Sequence, residues 1–289
     1  MSEAVREWVE SSPYTMALGL KLDRLDEGAA GGSARLILPF QEENTNPGSV
    51  LHGGVVASLS AVGAQTVARA VLGVEAGPFH LAQIQVSYLA AAREEAVVAE
   101  ARLLRRGKVL CFVEVDVKTE AGKPIAHATA TVRGRSGEDA AELVSVAGDD
   151  GAADPGPLGP HISKTPFMSR IGLQIEHMAD SRSRIVLPDI EANRDRDGDR
   201  DGGIHEGALL ALLDTTGAMA AWATTGPGPY KASTPSLQAQ IVAPPPPGDL
   251  CAYGRLVQRD GETFWTAVEV ADADARCIAR GTVLYRIIT

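Results

Sequence analysis

Asp214 is a carboxylate set inside an apolar run, Gly203 to Gly217 (GIHEGALLALLDTTG). A run this apolar on every side reads as a buried helix, and an acid inside one needs a partner, a water or a reaction to serve. Desolvation disfavours its charged form and raises its pKa. An acid tuned that way can take a proton from water near neutral pH, or attack an electrophile itself, and both roles stay open. A satisfied structural carboxylate is the plainer alternative. The other constellation that could do chemistry is Asp197-Gly198-Asp199-Arg200-Asp201-Gly202, which opens like a calcium loop. Its twelfth position is Ala208 where that loop needs Glu, so a solvated loop is expected and no metal site.

The elements that must position Asp214 emerge when the chain is laid against itself. Pro13 faces Pro166, an offset of 153 (166 − 13). At that spacing Leu18-Gly19-Leu20-Lys21-Leu22 faces Ile171-Gly172-Leu173-Gln174-Ile175, His52 faces His205, Gly54 faces Gly207, Gln85 faces Gln238 and Arg133 faces Arg286. Two copies of one domain of about 130 residues follow, at 1–135 and 161–289. Between them Ser136 to Pro160 is acidic and rich in Gly, Ala and Pro, and reads as a solvated linker. In the first copy a short N-terminal helix from Ala4 to Ser11 precedes strands at Lys21 to Asp26 and Gly32 to Pro39. A turn-rich loop leads into an apolar helix from Gly53 to about Leu72. Strands follow at Leu81 to Leu89, Ala96 to Arg105, Val109 to Thr119 and Pro124 to Arg133. The second copy repeats this at Arg182 to Leu187, Gly207 to Thr225, Ser236 to Val242, Leu250 to Gln258, Thr263 to Asp272 and Arg276 to Ile287. One long buried helix against a mostly antiparallel sheet, twice over, is an α+β arrangement.

Composition narrows the partners. The 289 residues carry a net charge of −10, which argues against nucleic acid or an anionic membrane. No run is expected to reach the roughly 18 apolar residues of a membrane span. Cys111, Cys251 and Cys277 are widely spaced and fit a reducing cytoplasm rather than a disulfide framework.

With these residues in place, Asn46-x5-His52-Gly53-Gly54-x6-Ala61, followed by a strand ending Val86-Ser87-Tyr88-Leu89, resembles the hotdog-fold acyl-CoA thioesterases of the phenylacetate-type (PaaI-like) branch, whose motif is Asn-x5-His-Gly-Gly-x6-Asp. His205-Glu206-Gly207-x6-Asp214 repeats it in the second copy. The resemblance implies paired hotdog domains, here fused as a double hotdog, with sites in the seams between them. It further implies that one seam combines Asn46, His52 and Gly53 of the first copy with Asp214 and Thr234 of the second, while the other, with Ala61 and Leu81, lacks a base. Ser233 stands in for Thr234 if the loop slips by one residue, and Asp199 answers Asn46 at the constant offset. On this reading the Gly53 N–H, at a helix N-terminus, receives the oxyanion of a thioester carbonyl, and its lack of a side chain lets the acyl group approach. Asn46 and His52 fix the loop and add polar contact, Thr234 orients a water, and Asp214 supplies base or nucleophile.

Beyond the motif, Gly54, Ser233, Arg105 and Arg106 are candidate substrate contacts, the arginines for the phosphates of coenzyme A, against the plainer reading of a solvated face. His80, His127, His161 and His177 follow no ligand spacing and are expected at the surface or in packing. The resemblance implies an acyl-CoA or acyl-carrier thioester as substrate, no further cofactor, and a homo-oligomer of the fused pair. A hotdog hydratase or dehydratase and a non-catalytic acyl-CoA binding protein remain the rival functions.

Overall fold

The computed structural model describes residues 2–27, 32–134, 143–148, 151–197 and 200–288. The first half runs α1 (Ser2–Ser11), α2 (Pro13–Leu18), β1 (Lys21–Asp26), β2 (Ser33–Leu38), β3 (Thr45–Asn46), β4 (Val50–Leu51), α3 (Gly53–Leu72), β5 (His80–Tyr88), β6 (Val97–Arg106), β7 (Leu110–Thr119) and β8 (Pro124–Arg133). The second half runs α4 (Gly159–Ile162), α5 (Pro166–Ile171), β9 (Gln174–Ala179), β10 (Arg182–Leu187), β11 (Arg194–Asp197), β12 (Arg200–Ile204), α6 (Glu206–Thr225), β13 (Lys231–Ile241), β14 (Leu250–Asp260), β15 (Thr263–Ala271) and β16 (Cys277–Ile288). Twelve strands form one sheet in the order β1-β2-β6-β7-β8-β5-β13-β16-β15-β14-β10-β9. The second half of that order mirrors the first. The mirror lies between β5 and β13, which pair antiparallel with Gln85 opposite Gln238, the two residues that share an offset of 153.

Period-two alternation turns one face of each strand inward, as in β2, where Ala34, Leu36 and Leu38 are buried. The sheet wraps α3 and α6, and both helices are buried over nearly all their length. Each is apolar all round because it meets sheet on one side and the other helix on the other. Both stop at a glycine with positive φ, Gly73 at 89° and Gly226 at 74°, a conformation that L side chains rarely adopt. By length and composition α3 could cross a membrane, contrary to the expectation that no run would, but 89% of its apolar window is buried inside this protein. An all-round apolar helix satisfies a core and a bilayer alike.

Where α3 crosses α6 the backbones nearly touch. A Cβ placed on Gly54 would lie 2.7 Å from Cα and Cβ of Ala211, and one placed on Gly207 would lie 3.0 Å from Cβ of Ser58. Ser58 and Ala211 are themselves repeat partners, so each helix presents a glycine to a small residue of the other. Ser58 Oγ closes the crossing by donating to the carbonyl oxygen of Gly207 at 2.9 Å.

The constant offset hides a compensated shift. Strand β2 matches β10 at an offset of 149, not 153, because the first copy has four more residues between its opening strands. The second copy recovers them in the longer hairpin β11–β12, and the register returns at His52 and His205. The counterpart of Asn46 on β3 is therefore Asp195 on β11. Asp199, the expected counterpart, lies outside the described residues, as does Gly198 of the calcium-like loop. Strand β13 begins five residues before the expected Ser236. Its pairing with β16 slips between Ser233 and Ser236, and Pro235, which has no N–H to give a ladder, sits in that irregularity. Of the expected linker, the described residues lie against the second half: Val146 N–H donates to Ala275 O at 2.8 Å, and Asp154 bridges to His177.

Gly54→Ala is expected to lower unfolding stability by about 1–3 kcal/mol, because the added methyl must push α6 away. Urea denaturation read by circular dichroism measures it, and an unchanged midpoint would show that the crossing can give.

Candidate active site

One seam is built where the N-terminus of α3 meets the middle of α6. His52 caps α3, its Nδ1 accepting the Gly54 N–H at 2.9 Å, and its carbonyl oxygen accepts from Val55 at 3.0 Å and Val56 at 3.2 Å. The N–H of Gly53 is given no acceptor among the described residues, as expected for the first turn of a helix. Accepting through Nδ1 keeps His52 neutral with its proton on Nε2. Burial agrees, pulling its pKa down to about 4. The ring packs against Phe167 with centroids 4.8 Å apart.

Asp214 of α6 faces this turn. A Cβ on Gly53 would lie 2.9 Å from Asp214 Oδ2 and 3.6 Å from Cε1 of Tyr88, so any side chain there would have to displace the Asp214 carboxylate. Tyr88 donates its hydroxyl to the Gly53 carbonyl oxygen at 3.2 Å. Asp214 is 4% exposed, and its Oδ1 is buried with no hydrogen-bond partner. Burial pushes its pKa up to about 7, opposed by a hydrogen bond from the side chain of Thr234. The structure thus brings His52, Gly53, Asp214 and Thr234 to one place. An acid half-protonated near neutrality, with one bare oxygen, faces the positive end of a helix.

The opposite seam has the same architecture with its acid moved. Ala61 stands in α3 where Asp214 stands in α6, and Glu206 opens α6 where Gly53 opens α3. Glu206 is buried and folds back into the seam. It accepts from the N–H of Leu81 at 2.9 Å and from Gln65 Nε2, and pairs with Nδ1 of His80. His80 Nε2 lies 3.1 Å from the carbonyl oxygen of Ile241. Burial lowers the His80 pKa, but the Glu206 charge and its hydrogen bond outweigh that and raise it. His80 is therefore part of a buried ion pair between the halves, more than the packing residue expected. It and Gln65 are the residues that sequence reasoning missed. Their signal was present in the repeat: Gln65 is a polar side chain on a buried helix, and His80 precedes Leu81, the counterpart of Thr234.

Other expected site residues fall in different places. Asn46 is half-buried on the hairpin that leads into His52, opposite Val50. The loop is pinned by Asn44, whose Nδ2 donates to Leu18 O at 2.9 Å, whose Oδ1 accepts from Arg170 at 2.6 Å, and whose carbonyl oxygen accepts the His52 N–H at 3.0 Å. Asn193 repeats two of these bonds for His205, its Nδ2 donating to Ile171 O at 2.8 Å and its carbonyl oxygen accepting the His205 N–H at 2.8 Å, while its Oδ1 is buried without a partner. Gly54 spends its N–H on His52 and its open face on Ala211, so it serves the crossing. Ser233 is exposed on β13, while Thr234 is the residue that reaches the acid. Arg105 and Arg106 are exposed at the end of β6. Arg106 pairs with Cys111, Cys111 with Val132 and Val132 with Leu81, so the arginines share the sheet end of the Glu206 seam, not that of Asp214.

Because the folded pKa of Asp214 lies above its unfolded value, its neutral form favours folding. That contribution is complete below the unfolded carboxyl pKa and is lost as pH rises through about 7. Asp214→Asn is therefore expected to be more stable than the parent at pH 8, by on the order of 4 kcal/mol. The gap should close toward pH 4, and melting temperatures across pH check it. Glu206→Gly strips Gln65, His80 and the Leu81 N–H of their shared acceptor and should cost about 3–5 kcal/mol in urea denaturation.

Residues 41–133 match the acyl-CoA thioesterase N-terminal domain. No curated protein sequence matches the chain. Among solved structures it is similar to a hotdog-fold protein of unknown function from Alicyclobacillus acidocaldarius, 17% identical with a TM-score of 0.67 over 94% of this chain and 97% of that one. It is also similar to acyl-CoA thioesterase II TesB2 of Mycobacterium marinum, 14% identical with a TM-score of 0.64 over 93% and 96%. A third is a TesB protein of Mycobacterium avium subspecies paratuberculosis, 10% identical with a TM-score of 0.62 over 93% and 96%. At these identities the structures speak for the fold, and both halves are covered. The acyl-CoA thioesterase domain match thus lies in the first half, and the chain as a whole has the tandem hotdog fold.

Proposed function

We propose that the chain hydrolyses an acyl thioester of coenzyme A or of an acyl carrier at one composite site, the Asp214 seam. The observation that carries this reading is the approach of Asp214 Oδ2 to the open face of Gly53, which sets an acid of the second half against an uncommitted helix N-terminus of the first. The thioester carbonyl oxygen takes its hydrogen bond from the Gly53 N–H, where the helix dipole favours the charge that develops on attack. Asp214, as carboxylate, removes a proton from water while the water oxygen bonds to the carbonyl carbon. The tetrahedral intermediate collapses with loss of the C–S bond, and the thiolate recovers the proton from Asp214. Thr234 holds the carboxylate in place, and His52 offers its Nε2 proton beside the carbonyl while Nδ1 fixes the helix cap. Asn46 lies on the hairpin that carries His52, and we assign it a supporting contact there. Arg105 and Arg106 are left to a solvated face.

The Glu206 seam has Ala61 at the position of Asp214, and its own carboxylate is held by Gln65, His80 and the Leu81 N–H. We read the enzyme as acting in the cytoplasm, without a further cofactor, as a homo-oligomer of this fused pair.

Thiol release from a panel of acyl-CoAs, followed with a thiol-reactive dye, tests the reading. The parent should hydrolyse some members, with kcat/KM rising with pH through about 7 as Asp214 ionises. Asp214→Asn should lose activity by about two orders of magnitude or more. Glu206→Gly, assayed below its melting transition, should stay within a few-fold of the parent. An undiminished rate in Asp214→Asn would sink the one-site model. Water addition to an enoyl-CoA without thiol release would favour the hydratase, and binding without turnover the silent binder.

A further inference from the structure

We infer that Trp222, held by Tyr285, closes the far end of the acyl-binding space and restricts the Asp214 seam to short or aromatic acyl groups. The inference rests on the thioesterase reading above and deepens it. Its basis is a row of side chains one helical turn apart. On α3 the row is Ala61, Gln65, Arg69, and on α6 the matching row is Asp214, Ala218, Trp222. In the Glu206 seam the row is filled: Gln65 reaches Glu206, and Arg69 is held with its guanidinium 4.0 Å from the Trp8 ring centroid and 4.9 Å from that of Phe79. In the Asp214 seam the middle position is Ala218, so only a small side chain stands in the row between the acid and Trp222.

Trp222 stands eight residues past Asp214, roughly 12 Å along the helix at 1.5 Å per residue. Its Nε1 donates to the Tyr285 hydroxyl at 3.1 Å, and its ring stacks on Tyr230 with centroids 6.2 Å apart and planes at 22°. Tyr285 is buried and close enough to the acid to feel its charge: burial first, and Asp214 with it, push its hydroxyl up to about 12. The indole is thereby fixed at two points, and an acyl group that runs from Asp214 along this row meets aromatic faces at Trp222 and Tyr230. Flat aromatic walls suit a flat acyl group, and a fixed indole stops a long one.

Trp222 also lines an open surface pocket of about 250 Å³ together with Leu158, Met178, Ala223 and Pro227. On this inference, removing the indole joins that pocket to the acyl group's path. A chain stopped at Trp222 would then run on against Leu158 and Met178, so this one residue sets the length limit.

The experiment measures kcat/KM for benzoyl-, butyryl-, octanoyl- and palmitoyl-CoA with the parent, Trp222→Ala and Trp222→Phe, and binding of the same series by calorimetry. The parent should favour benzoyl and butyryl over palmitoyl by at least about tenfold, and Trp222→Ala should raise the palmitoyl-to-butyryl ratio by about tenfold or more. Trp222→Phe, which keeps an aromatic stop, should stay near the parent and controls for folding together with the melting temperature of each variant. A parent that prefers palmitoyl, or a ratio unmoved in a folded Trp222→Ala, overturns the inference. If the parent hydrolyses no thioester, the catalytic reading fails, and the ratio of binding constants still decides whether Trp222 limits the acyl group.

Discussion

Each seam between the two halves contains one buried carboxylate, and the difference between the seams is how that carboxylate is satisfied. An acid in the interior either gathers hydrogen bonds and a counter-charge or keeps its proton. Glu206 takes the first course. It lies at a helix start, where the dipole suits it, and holds Leu81 N–H, Gln65 and His80. Asp214 takes the second. It lies in mid-helix, has Thr234 for help and leaves Oδ1 bare. The satisfied acid ties the halves together; the other is the one to which the proposed function assigns the chemistry.

Steric exchange accompanies the chemical one. Asp214 comes within 2.9 Å of where a Gly53 side chain would begin, whereas at the matching helix start Glu206 reaches Gln65, His80 and the Leu81 N–H. A carboxylate on both sides of one seam would place two like charges in a dry space, and an acid on neither side would leave the Leu81 N–H or the Gly53 turn facing apolar atoms. The duplicated chain thus divides two tasks that a symmetric pair must perform at both seams. One seam holds a bonded carboxylate between the halves, and the other leaves Asp214 with a bare oxygen. Underbonded groups of that kind are a common feature of sites held ready for reaction.

The fold supports this division through its mirror order. Continuous pairing of β5 with β13 joins the two sheets at one register, and the crossing at Gly54 and Gly207 sets the helices at one depth. Together they decide which turn of α6 faces the start of α3. A shift of one turn would bring Leu210 or Ala218 to Gly53 in place of Asp214. The row Asp214, Ala218, Trp222 then runs from the acid to an indole held against Tyr285 and Tyr230, and on the inference above this links the site to the size of the acyl group.

Much of this was legible in the chain. The repeat, the α+β class, the bounds of α3 and the exchange of Asp214 for Ala61 follow from periodicity and from matching residues, because burial on a helix or strand imprints a regular pattern on local sequence. Thr234 could be assigned by register alone. What the tertiary structure decided were the meetings between distant residues. Neither Gln65 nor His80 shows in sequence that it ends on Glu206, since that contact spans 141 and 126 positions and exists only once the sheet has closed. Asp195 replaced Asp199 as the counterpart of Asn46 because two loops changed length in opposite senses, which a constant offset cannot reveal. The arginines of β6 were placed by strand register, at the end of the sheet away from Thr234. Local pattern determines which residues are buried. Only packing determines which buried residues face one another, and the two seams differ in that alone.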